Sequence, residues 1–379
     1  TKLKEKLAVR PTSETIMYAS YSKWIQSHRD LPLKLNQWCN VVRWETNQTK
    51  LFLRSREFLW QEGHCVYETK EECDADTKEI IDLYAKLCKD VLALPVLVGK
   101  KSDKEKFAGA DYTLTIEAFM PDGKALQAGT SHQLGQGFGK AFGINFMGRD
   151  EKIQIPWQNS WGVSTRLIGG LVMTHSDDKG LVLPPMAAKN KIVIVPILFE
   201  DTKEAVLSKS NEILESLKEF KPILDDRDGH SPGWKFSDWE MKGIPIRIEI
   251  GPRDLENNQV VIARRDNGEK ETIAIDELSK KIPTIIENMQ KEMYDKALET
   301  LNNNIVEVDN WDKFVKTIED KKIVKTAWCS DTECEELIKD KTGGASTRCV
   351  TFEQDPVDGK KCPHCGKDAK VIMYFSKSY

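Results

Sequence analysis

The segment from Val41 to His64, VVRWETNQTKLFLRSREFLWQEGH, constrains the fold of this chain more than any other segment. Its two halves alternate in polarity with a period of two, which predicts two antiparallel strands joined by a polar loop at residues 46–50. The first strand is predicted to place Arg43 and Glu45 on one face. With the second strand, that face would carry three arginines and two flat aromatic rings: Arg43, Arg54, Arg56, Phe58 and Trp60.

Such a face suits a nucleotide. Guanidinium groups hold phosphate oxygens with forked hydrogen bonds, and a ring such as Phe58 can stack on a base. The alternative is an ordinary solvated sheet face whose arginines pair with Glu45, Glu57 and Glu62. The sequence of these strands alone leaves both interpretations open.

The surrounding residues favour the nucleotide. Arg43-Trp44-Glu45, the polar loop and Arg54-Ser55-Arg56-Glu57-Phe58 together resemble motif 2 of a class II aminoacyl-tRNA synthetase. Three further stretches narrow the resemblance to the prolyl-tRNA synthetases of the eukaryotic and archaeal type: Arg10-Pro11-Thr12-Ser13-Glu14, Thr130-Ser131-His132, and Trp161-Gly162 through Arg166, which resembles motif 3. The similarity runs from Ala8 to the final Ser378-Tyr379.

This resemblance implies an enzyme that activates L-proline with ATP and Mg²⁺, releases pyrophosphate and passes proline to the 3′ end of tRNA(Pro). It implies that Arg43 bridges the substrate carboxylate and the α-phosphate and that Arg166 holds the outer phosphates, as the catalytic residues. The other residues implied for ATP are Glu45, Arg54, Ser55, Phe58, Gln127, Thr130, Ser164 and Thr165. Those implied for proline, besides Arg43, are Thr12, Glu14, Trp60, Glu62, Phe107, His132 and Trp161. Without the motifs around it, His132 would be interpreted as a core histidine.

The first domain is predicted to close at Pro184-Pro185. Within it, Asp74 is predicted to cap a helix, and the chain from Ser13 to about Ser27 is predicted to form another.

A second domain is indicated by a change of pattern after residue 190. The apolar run Ile192–Val195 is typical of a strand buried on both faces, Asp201-x-x-Glu204 has capping-box spacing, and Asn267-Gly268 predicts a tight hairpin. This small α/β domain resembles the anticodon-binding domain of class II synthetases. Its candidate RNA contacts are Arg227, Lys235 and Arg253, although a solvated rim explains any one of them equally well.

Five of the nine cysteines lie after residue 328. Cys329 and Cys334 form one close pair, and Cys362 and Cys365 form a second. Two close pairs separated by a loop are the usual plan of a structural zinc site, so these four are the predicted ligands, with His364 and Cys349 as fallback ligands. The resemblance likewise implies a C-terminal zinc-binding domain.

The predicted fold class is therefore α/β (α+β), with an antiparallel catalytic sheet, a small α/β anticodon-binding domain and a zinc-binding α+β domain. The predicted boundaries are 1–188, 189–290 and 291–379. The family's motif 1, which builds the dimer interface, is expected upstream of Arg10 and does not lie within the sequence, so the homodimer rests on the resemblance alone. The short spacing of Arg54 and Arg166 leaves no room for the large editing insertion of the bacterial type.

Composition excludes several other classes. The net charge of −4 rules out a uniformly basic coat, so any RNA contact is a local patch. No apolar run approaches the ~18 residues that span a bilayer, and we expect a cytoplasmic protein without a membrane partner. The pattern GxxxxGK[ST] is missing, so ATP is not held by a P-loop.

Two rival classes of protein would share parts of this pattern. A catalytically silent paralogue that only binds tRNA would have lost Arg43 or Arg166, and both are present. A threonyl-type synthetase would carry a metal in its amino-acid pocket, whereas the cysteine pairs lie far from the pocket residues in sequence.

Overall fold

The computed structural model describes residues 3–46 and 48–379. The chain divides into two compact units. The first consists of Thr1–Lys86, Val96–Gly170 and Leu301–Tyr379, and the second of Leu87–Pro95 and Leu171–Thr300. The C-terminal segment carrying the four cysteines thus clusters with the N-terminal part of the chain.

The N-terminal part of the chain, up to residue 175, supplies most of the first unit. Its helices are α1 (Glu14–Trp24), α2 (Lys70–Asp90), α3 (Gly137–Phe142) and α4 (Arg166–His175). Its strands are β1 (Leu33–Val42), β2 (Glu57–Tyr67), β3 (Leu97–Lys100), β4 (Tyr112–Phe119), β5 (Ala125–Gly135), β6 (Phe146–Met147), β7 (Ile153–Gln154) and β8 (Trp157–Ser164).

The C-terminal part of the chain, from residue 301, completes this unit. Helix α8 (Leu278–Asn304) leads into it, followed by α9 (Trp311–Glu319) and α10 (Thr332–Lys341). Its strands are β14 (Ile305–Val308), β15 (Ile323–Trp328), β16 (Ser346–Thr347), β17 (Val350–Thr351) and β18 (Val371–Ser376). Strands β14, β15, β18 and β16 form a four-stranded sheet in that order.

A seven-stranded sheet organises the first unit. Its order is β1-β2-β8-β5-β4-β3-β17, and every neighbouring pair is antiparallel. This confirms the predicted antiparallel catalytic sheet. The last strand, β17, was not predicted, and it joins the C-terminal part of the chain to the edge strand β3.

The two strands predicted around motif 2 are shorter than expected at the ends that face each other. Strand β1 ends at Val42, opposite Glu57 at the start of β2, so the arginines of the motif lie in the connecting loop. The Arg43 amide still donates to the Arg56 carbonyl at 2.6 Å, and a turn then forms as the Thr46 amide donates to the Arg43 carbonyl at 3.3 Å. The predicted strand alternation of these residues is therefore wrong, because the turn hydrogen bond replaces the ladder.

The start of α2 differs from the prediction. Thr69 caps the helix: its hydroxyl accepts from the Glu72 amide at 3.2 Å, and the Glu72 carboxylate accepts from the Thr69 amide at 3.3 Å. Asp74 lies inside α2. Its carboxylate accepts hydrogen bonds from the Tyr112 hydroxyl at 2.7 Å and from the Gln133 side chain at 2.8 Å, so it ties the helix to β4 and β5.

The second unit contains a five-stranded sheet of order β10-β9-β11-β12-β13. Strand β9 is parallel to both neighbours and fully buried, as its apolar sequence predicts. The strands are β9 (Ile192–Pro196), β10 (Ile223–Leu224), β11 (Ile246–Ile250), β12 (Gln259–Arg264) and β13 (Lys270–Ala274), and the helices are α5 (Lys203–Ser216), α6 (Pro232–Met241) and α7 (Pro252–Glu256).

The predicted capping box at Asp201 is wrong. Helix α5 begins at Lys203 after Thr202, which makes no side-chain cap hydrogen bond, and the Thr202 hydroxyl instead donates to the Phe199 carbonyl at 3.5 Å. The hairpin at Asn267-Gly268 is present between β12 and β13. In the described part of the chain, none of the helices has the length and apolarity that crossing a membrane requires.

Candidate active site

A cavity of about 650 Å³ opens on the seven-stranded sheet. It brings together residues that are far apart in sequence, from α1, β2, β4, β5, β8 and the loop between β1 and β2. Of the residues predicted for ATP and proline, those lining it are Thr12, Glu14, Arg43, Glu45, Arg54, Ser55, Phe58, Trp60, Glu62, Phe107, Gln127, Thr130, His132, Trp161, Ser164 and Arg166. Thr165 is not among the lining residues. Its amide is bonded to the Leu59 carbonyl at 3.0 Å.

One end of the cavity is strongly cationic. Arg166 is held at the start of α4: its Nε donates to the Leu53 carbonyl at 2.9 Å and one terminal nitrogen donates to the Gln127 carbonyl at 3.2 Å. Burial and the nearby charges of Arg54 and Arg43 lower the pKa of Arg166. Three guanidiniums that repel one another in one cavity form a site that an anion stabilises.

The loop between β1 and β2 supplies two of these three groups. Arg43 lies over the Phe58 ring, 5.4 Å from its centre, and its Nε donates to the Pro11 carbonyl at 3.4 Å. Arg54 is fixed by a pair of backbone hydrogen bonds with Lys50, at 2.7 and 2.9 Å. The predicted polar turn falls in this loop, and its Asn47 lies outside the described residues.

Arg56 does not line the cavity, so the prediction of three motif 2 arginines on one surface is wrong for it. Its guanidinium lies 4.9 Å from the centre of the Trp44 ring, and its Nε donates to the Thr46 carbonyl at 2.9 Å. Once the ladder ends, the alternation of β2 no longer determines where this side chain points. Arg56 therefore holds the loop that carries Arg43 and Arg54.

The other end of the cavity carries two buried carboxylates, Glu14 and Glu62, which are 5% and 2% exposed. Glu14 is at the start of α1 and accepts a hydrogen bond from the Thr12 hydroxyl. Glu62 accepts from Ser13, from the Gln37 side chain at 2.6 Å and from His64 at 3.1 Å. Burial opposes ionisation of Glu62, but the hydrogen bonds from His64 and Ser13 outweigh it and lower its pKa.

Between the two ends lie aromatic and polar walls. The indole nitrogens of Trp60 and Trp161 and the Ser160 hydroxyl are buried without a hydrogen-bond partner among the described residues. Trp161 lies so close to Gly63 that a Cβ built there would meet the indole ring at 2.1 Å, so glycine is required at that position.

The pocket wall formed by Phe107 and His132 is held by a chain of hydrogen bonds. The two rings are 4.7 Å apart, and the His132 nitrogens lie 2.9 Å from the Thr113 hydroxyl and 3.1 Å from the Thr130 hydroxyl. Burial, together with the positive charges of His64 and Lys101, lowers the pKa of His132 to about 3. The imidazole is therefore neutral at physiological pH and can present one donor and one acceptor.

Sequence reasoning missed several lining residues, among them His64, Glu105, Thr113 and Ser160. The period of two would have found His64, which follows Trp60 and Glu62 on the same face of β2. Ser160 likewise alternates with Gly162 and Ser164 on β8. Glu105 lies in the turn before β4 and Thr113 lies on β4, and no local pattern indicates either residue.

The four predicted zinc ligands come together. The sulfurs of Cys329, Cys334, Cys362 and Cys365 all lie within 4.8 Å of one another. The Sγ atoms of Cys334 and Cys362 are 3.8 Å apart, and those of Cys329 and Cys365 are 3.5 Å apart. Four thiolates at about 2.3 Å from one zinc ion in a tetrahedron are separated by about 3.8 Å, so these residues fit the ion.

The two fallback ligands, His364 and Cys349, occupy different positions relative to the cluster of four cysteines. His364 Nδ1 is 3.3 Å from the Cys334 sulfur, next to the cluster, whereas Cys349 does not belong to it. The contact between the two sulfurs lowers the pKa of the Cys362 thiol and raises the pKa of the Cys334 thiol. The thiolate is the form that binds metal.

The candidate RNA contacts of the second unit do not form the simple patch that was predicted. Lys235 is 3% exposed, and its ammonium donates to the Asp225 carbonyl at 3.1 Å, so the expectation that it lies on a basic surface is wrong. Arg227 donates twice to the Asp225 carboxylate, at 2.8 and 2.7 Å, and once to Asp238 at 2.8 Å, yet its side chain remains 40% exposed. Arg253 is exposed at the start of α7.

Two aromatic residues beside Arg227 were missed. The rings of His230 and Trp234 are stacked, 3.8 Å apart and inclined by 13°. Arg227 lies 5.2 Å from the centre of the Trp234 ring, and that side chain is 45% exposed. An exposed stack of this kind with a cation beside it is a platform on which a base can bind.

Comparison with known families agrees with this geometry. The family model of the tRNA synthetase class II core domain (G, H, P, S and T) matches residues 1–175, and that of the anticodon binding domain matches residues 191–285. A model described as prolyl-tRNA synthetase, C-terminal, matches residues 311–379. Together with the antiparallel sheet, these matches define the class, that of the class II aminoacyl-tRNA synthetases.

Individual relatives are more specific. Proline–tRNA ligase of Alkaliphilus oremlandii is 50% identical over 379 residues, which cover 100% of this chain and 78% of the relative. Proline–tRNA ligase 2 of Clostridioides difficile is 50% identical over 382 residues, with the same coverage of 100% and 78%. The crystal structure of prolyl-tRNA synthetase from Cryptosporidium parvum complexed with L-proline and AMP is 44% identical, with a TM-score of 0.95 over 100% of this chain and 80% of that one. The chain belongs to the prolyl-tRNA synthetase family.

Proposed function

We propose that the protein activates L-proline with ATP to form prolyl-adenylate and then transfers the prolyl group to the 3′ end of tRNA(Pro). The observation that carries this proposal is the distribution of charge in one cavity. Arg54 and Arg166 lie together in the cavity, the carboxylates Glu14 and Glu62 also line it, and Arg43 contacts the Pro11 carbonyl beside Thr12 while its charge acts on Arg166. That arrangement matches an amino acid joined to a nucleotide phosphate, the intermediate of the reaction. The solved relative from C. parvum was crystallised with L-proline and AMP.

At the amino-acid end, the proposal assigns the ring nitrogen of proline to Thr12 and Glu14. A secondary ammonium is a two-proton donor, and a buried carboxylate with a hydroxyl beside it offers matching acceptors. Glu62 keeps the charge of this end negative because its own hydrogen bonds favour ionisation. Trp60, Phe107, His132 and Trp161 enclose the apolar ring.

At the nucleotide end, ATP enters as its magnesium complex. Arg43 lies between the two ends of the cavity and would hold both the proline carboxylate and the α-phosphate, so that the carboxylate oxygen attacks phosphorus and pyrophosphate leaves. Arg54 and Arg166 would hold the outer phosphates, and Phe58 would stack on adenine. Because these groups are fixed before the substrate binds, they stabilise the charge of the transition state without rearrangement.

The remaining polar residues complete the nucleotide site. Gln127, Thr130 and Ser164 line the cavity beside Arg166, and Glu45 and Ser55 line it on the loop side. Thr165 would act through its neighbours, because it follows Ser164 at the end of β8 and lies outside the cavity lining. The mechanism needs no general base, since the attacking carboxylate is already ionised.

The second unit supports the choice of tRNA as the final acceptor. We propose that RNA binds to the exposed side of α6, where Trp234, His230 and Arg227 lie, with Arg253 as a further phosphate contact. Lys235 is not proposed as a contact because its ammonium is buried. Zinc at the four cysteines would have a structural role, since four protein ligands leave no open coordination position.

The proposal also includes a homodimer and a cytoplasmic location. Both come from the family.

The test is an exchange assay that measures incorporation of labelled pyrophosphate into ATP, run with each of the standard amino acids. We expect exchange with proline and at most weak exchange with threonine, serine, glycine or histidine. Charging of tRNA(Pro) is measured next. Exchange that depended on a different amino acid would refute the substrate, and exchange without charging would refute the second step.

A further inference from the structure

A turn before β4 supplies one wall of the amino-acid pocket. Residues 101–107 form this turn, and Glu105 and Phe107 line the cavity. The Phe107 amide donates to the Thr113 hydroxyl at 3.0 Å, and the Phe107 ring packs on His132. The place of this wall therefore depends on what holds the turn.

The turn is held at Ser102. The Ser102 hydroxyl accepts from the Glu105 amide at 3.2 Å, and the Ser102 carbonyl accepts from the Lys106 amide at 3.0 Å. The same hydroxyl donates to the Glu335 carboxylate at 3.2 Å and lies 3.1 Å from the Thr347 hydroxyl. Ser102 and Glu335 are 7% and 2% exposed. Removing a buried partner of this kind leaves a polar group unsatisfied.

Glu335 belongs to the C-terminal part of the same compact unit. It directly follows Cys334, one of the four clustered cysteines, on helix α10. The Thr347 hydroxyl donates to the same Glu335 oxygen at 2.5 Å and so fixes the carboxylate. The next residue, Glu336, also reaches the turn, through an ion pair with Lys104 at 2.9 Å, but its side chain is 59% exposed. Exposed pairs of that kind contribute little.

We propose that Ser102 and Glu335 are positioning residues for the proline pocket. Through them, the cysteine-bearing helix α10 holds the turn that carries Phe107 against His132. This inference rests on the proposed function for its substrate, but the contacts themselves do not. Neither residue lines the cavity, so each acts only through the turn.

The first test is the variant Ser102→Ala, assayed by pyrophosphate exchange in the purified protein. Without the Ser102 hydroxyl, the turn should occupy the position that binds proline only part of the time. The apparent affinity for proline then falls in proportion to the fraction of molecules in that position. We expect the proline KM to rise about five- to tenfold. The ATP KM and kcat should stay within about twofold, because the nucleotide contacts do not involve the turn. Zinc content should be unchanged. An unchanged proline KM, or equal rises for proline and ATP, would overturn the proposal.

Substitutions on α10 separate the contact from its surroundings. Glu335→Gln keeps an acceptor oxygen and should remain near wild type, whereas Glu335→Leu removes it and should reproduce Ser102→Ala. Glu336→Ala is the matched control on the same helix and should change neither KM. If Glu335→Gln were as impaired as Glu335→Leu, or Glu336→Ala as impaired as either, the assignment to this hydrogen bond would be wrong.

A measurement without substrate distinguishes failure of this inference from failure of the proposed function. Brief trypsin digestion followed by mass spectrometry reports cleavage after Lys104 and Lys106. We expect faster cleavage at these two sites in Ser102→Ala and Glu335→Leu, and wild-type rates in Glu335→Gln. Unchanged cleavage in Ser102→Ala and Glu335→Leu would refute the proposal that Ser102 and Glu335 hold the turn, whatever the activity of these variants. A wild-type protein that showed no exchange with proline would count against the proposed function alone.

Discussion

At the scale of single residues, the environment of each charged group in the cavity decides its role. Arg43, Arg54 and Arg56 are chemically alike and close in sequence. Arg43 and Arg54 reach the cavity, while Arg56 holds Trp44 and the Thr46 carbonyl outside it. The difference follows from the end of the β1–β2 ladder, after which each side chain is directed by the loop.

Replacement of Arg43 tests the nucleotide end. We expect Arg43→Ala to reduce proline-dependent pyrophosphate exchange at least a hundredfold, because a charge-assisted contact at the transition state is worth on the order of 3 kcal/mol. The circular dichroism spectrum should be unchanged. Arg149→Ala is the control, since Arg149 is 73% exposed and pairs with Glu68 at 3.3 Å. Exchange within a few-fold of wild type in Arg43→Ala would contradict the assigned role.

His132 gives a prediction about pH. Its pKa is lowered from 6.5 to about 3 by burial and by nearby positive charge. The unfolded chain binds a proton near pH 6.5 and the folded protein does not, so the stability that the neutral ring contributes is complete above pH 6.5. It is lost as the pH falls towards 3. One proton corresponds to a slope of up to about 1.4 kcal/mol per pH unit.

The measurement is urea unfolding at several pH values between 7 and 5, for wild type and His132→Asn. We expect the free energy of unfolding to fall less steeply with decreasing pH in the variant. Equal slopes in wild type and His132→Asn would show that the ring is protonated in the folded protein.

At the scale of elements, the sequence predicted the metal-binding cysteines well and the RNA-binding surface only in part. The cysteine module was predicted from ligand spacing, and its sulfurs converge as a tetrahedral zinc site requires. The RNA-binding side of the second unit was predicted from basic residues, and there burial changed the outcome for Lys235. The spacing of cysteines in a sequence constrains a metal site strongly. The sequence does not indicate whether a lysine side chain is buried or exposed.

We expect one zinc ion per chain, and loss of that ion in Cys362→Ser. Cys362 is 1% exposed within the core of the C-terminal part, so losing the ligand should also loosen α10 and lower the melting temperature. Metal analysis after dialysis measures the first effect, and thermal unfolding the second. Cys88→Ser is the control, since Cys88 is buried elsewhere and should leave zinc content unchanged. Retention of zinc in Cys362→Ser would assign the fourth ligand to His364.

Trp234 tests the proposed RNA platform. We expect Trp234→Ala to raise the KM for tRNA about tenfold, because stacking of one base is worth about 1–3 kcal/mol, and to leave pyrophosphate exchange unchanged. Phe199→Ala is the matched control in the same unit, because its side chain is 59% exposed and belongs to the loop between β9 and α5, not to the stack of His230 and Trp234. Normal charging by Trp234→Ala at moderate salt would place the RNA elsewhere.

At the scale of the whole molecule, the C-terminal part of the chain completes the unit that holds the active site. Strand β17 pairs with β3, and the buried Glu117 on β4 lies between Lys101, at 2.6 Å, and Arg348 of the C-terminal part, at 3.8 Å. All the residues predicted for ATP and proline lie between Thr12 and Arg166. The structure indicates that removing residues after 300 would expose this buried charge cluster and the edge of β3.

Lys101→Met tests the importance of this cluster. Removing one partner of a buried ion pair leaves an uncompensated charge, and we expect a loss of about 3 kcal/mol in the free energy of unfolding. Replacing both partners, as Lys101→Met with Glu117→Leu, should recover part of that loss. The control is Lys361→Met, whose pair with Asp368 is exposed and should be worth less than about 1 kcal/mol. A wild-type stability in Lys101→Met would show that the cluster is not needed.

The sequence alone determined what depends on local order and spacing. Its ordered motifs indicated the class II fold and a set of cavity residues from Thr12 to Arg166, and its cysteine pairs indicated the metal cluster. These predictions succeed because the period of two in a strand and the spacing within a pair of cysteines depend on only a few neighbouring residues.

Tertiary structure alone decided what depends on contacts across the chain. It ended β1 before Arg43, turned Arg56 out of the cavity and buried Lys235 beside Asp225. It also paired β17 with β3 and joined Glu335 to Ser102. The physical reason is that side-chain burial and strand pairing depend on partners from 10 to 233 positions away along the chain, and no local pattern records which partner a group will meet.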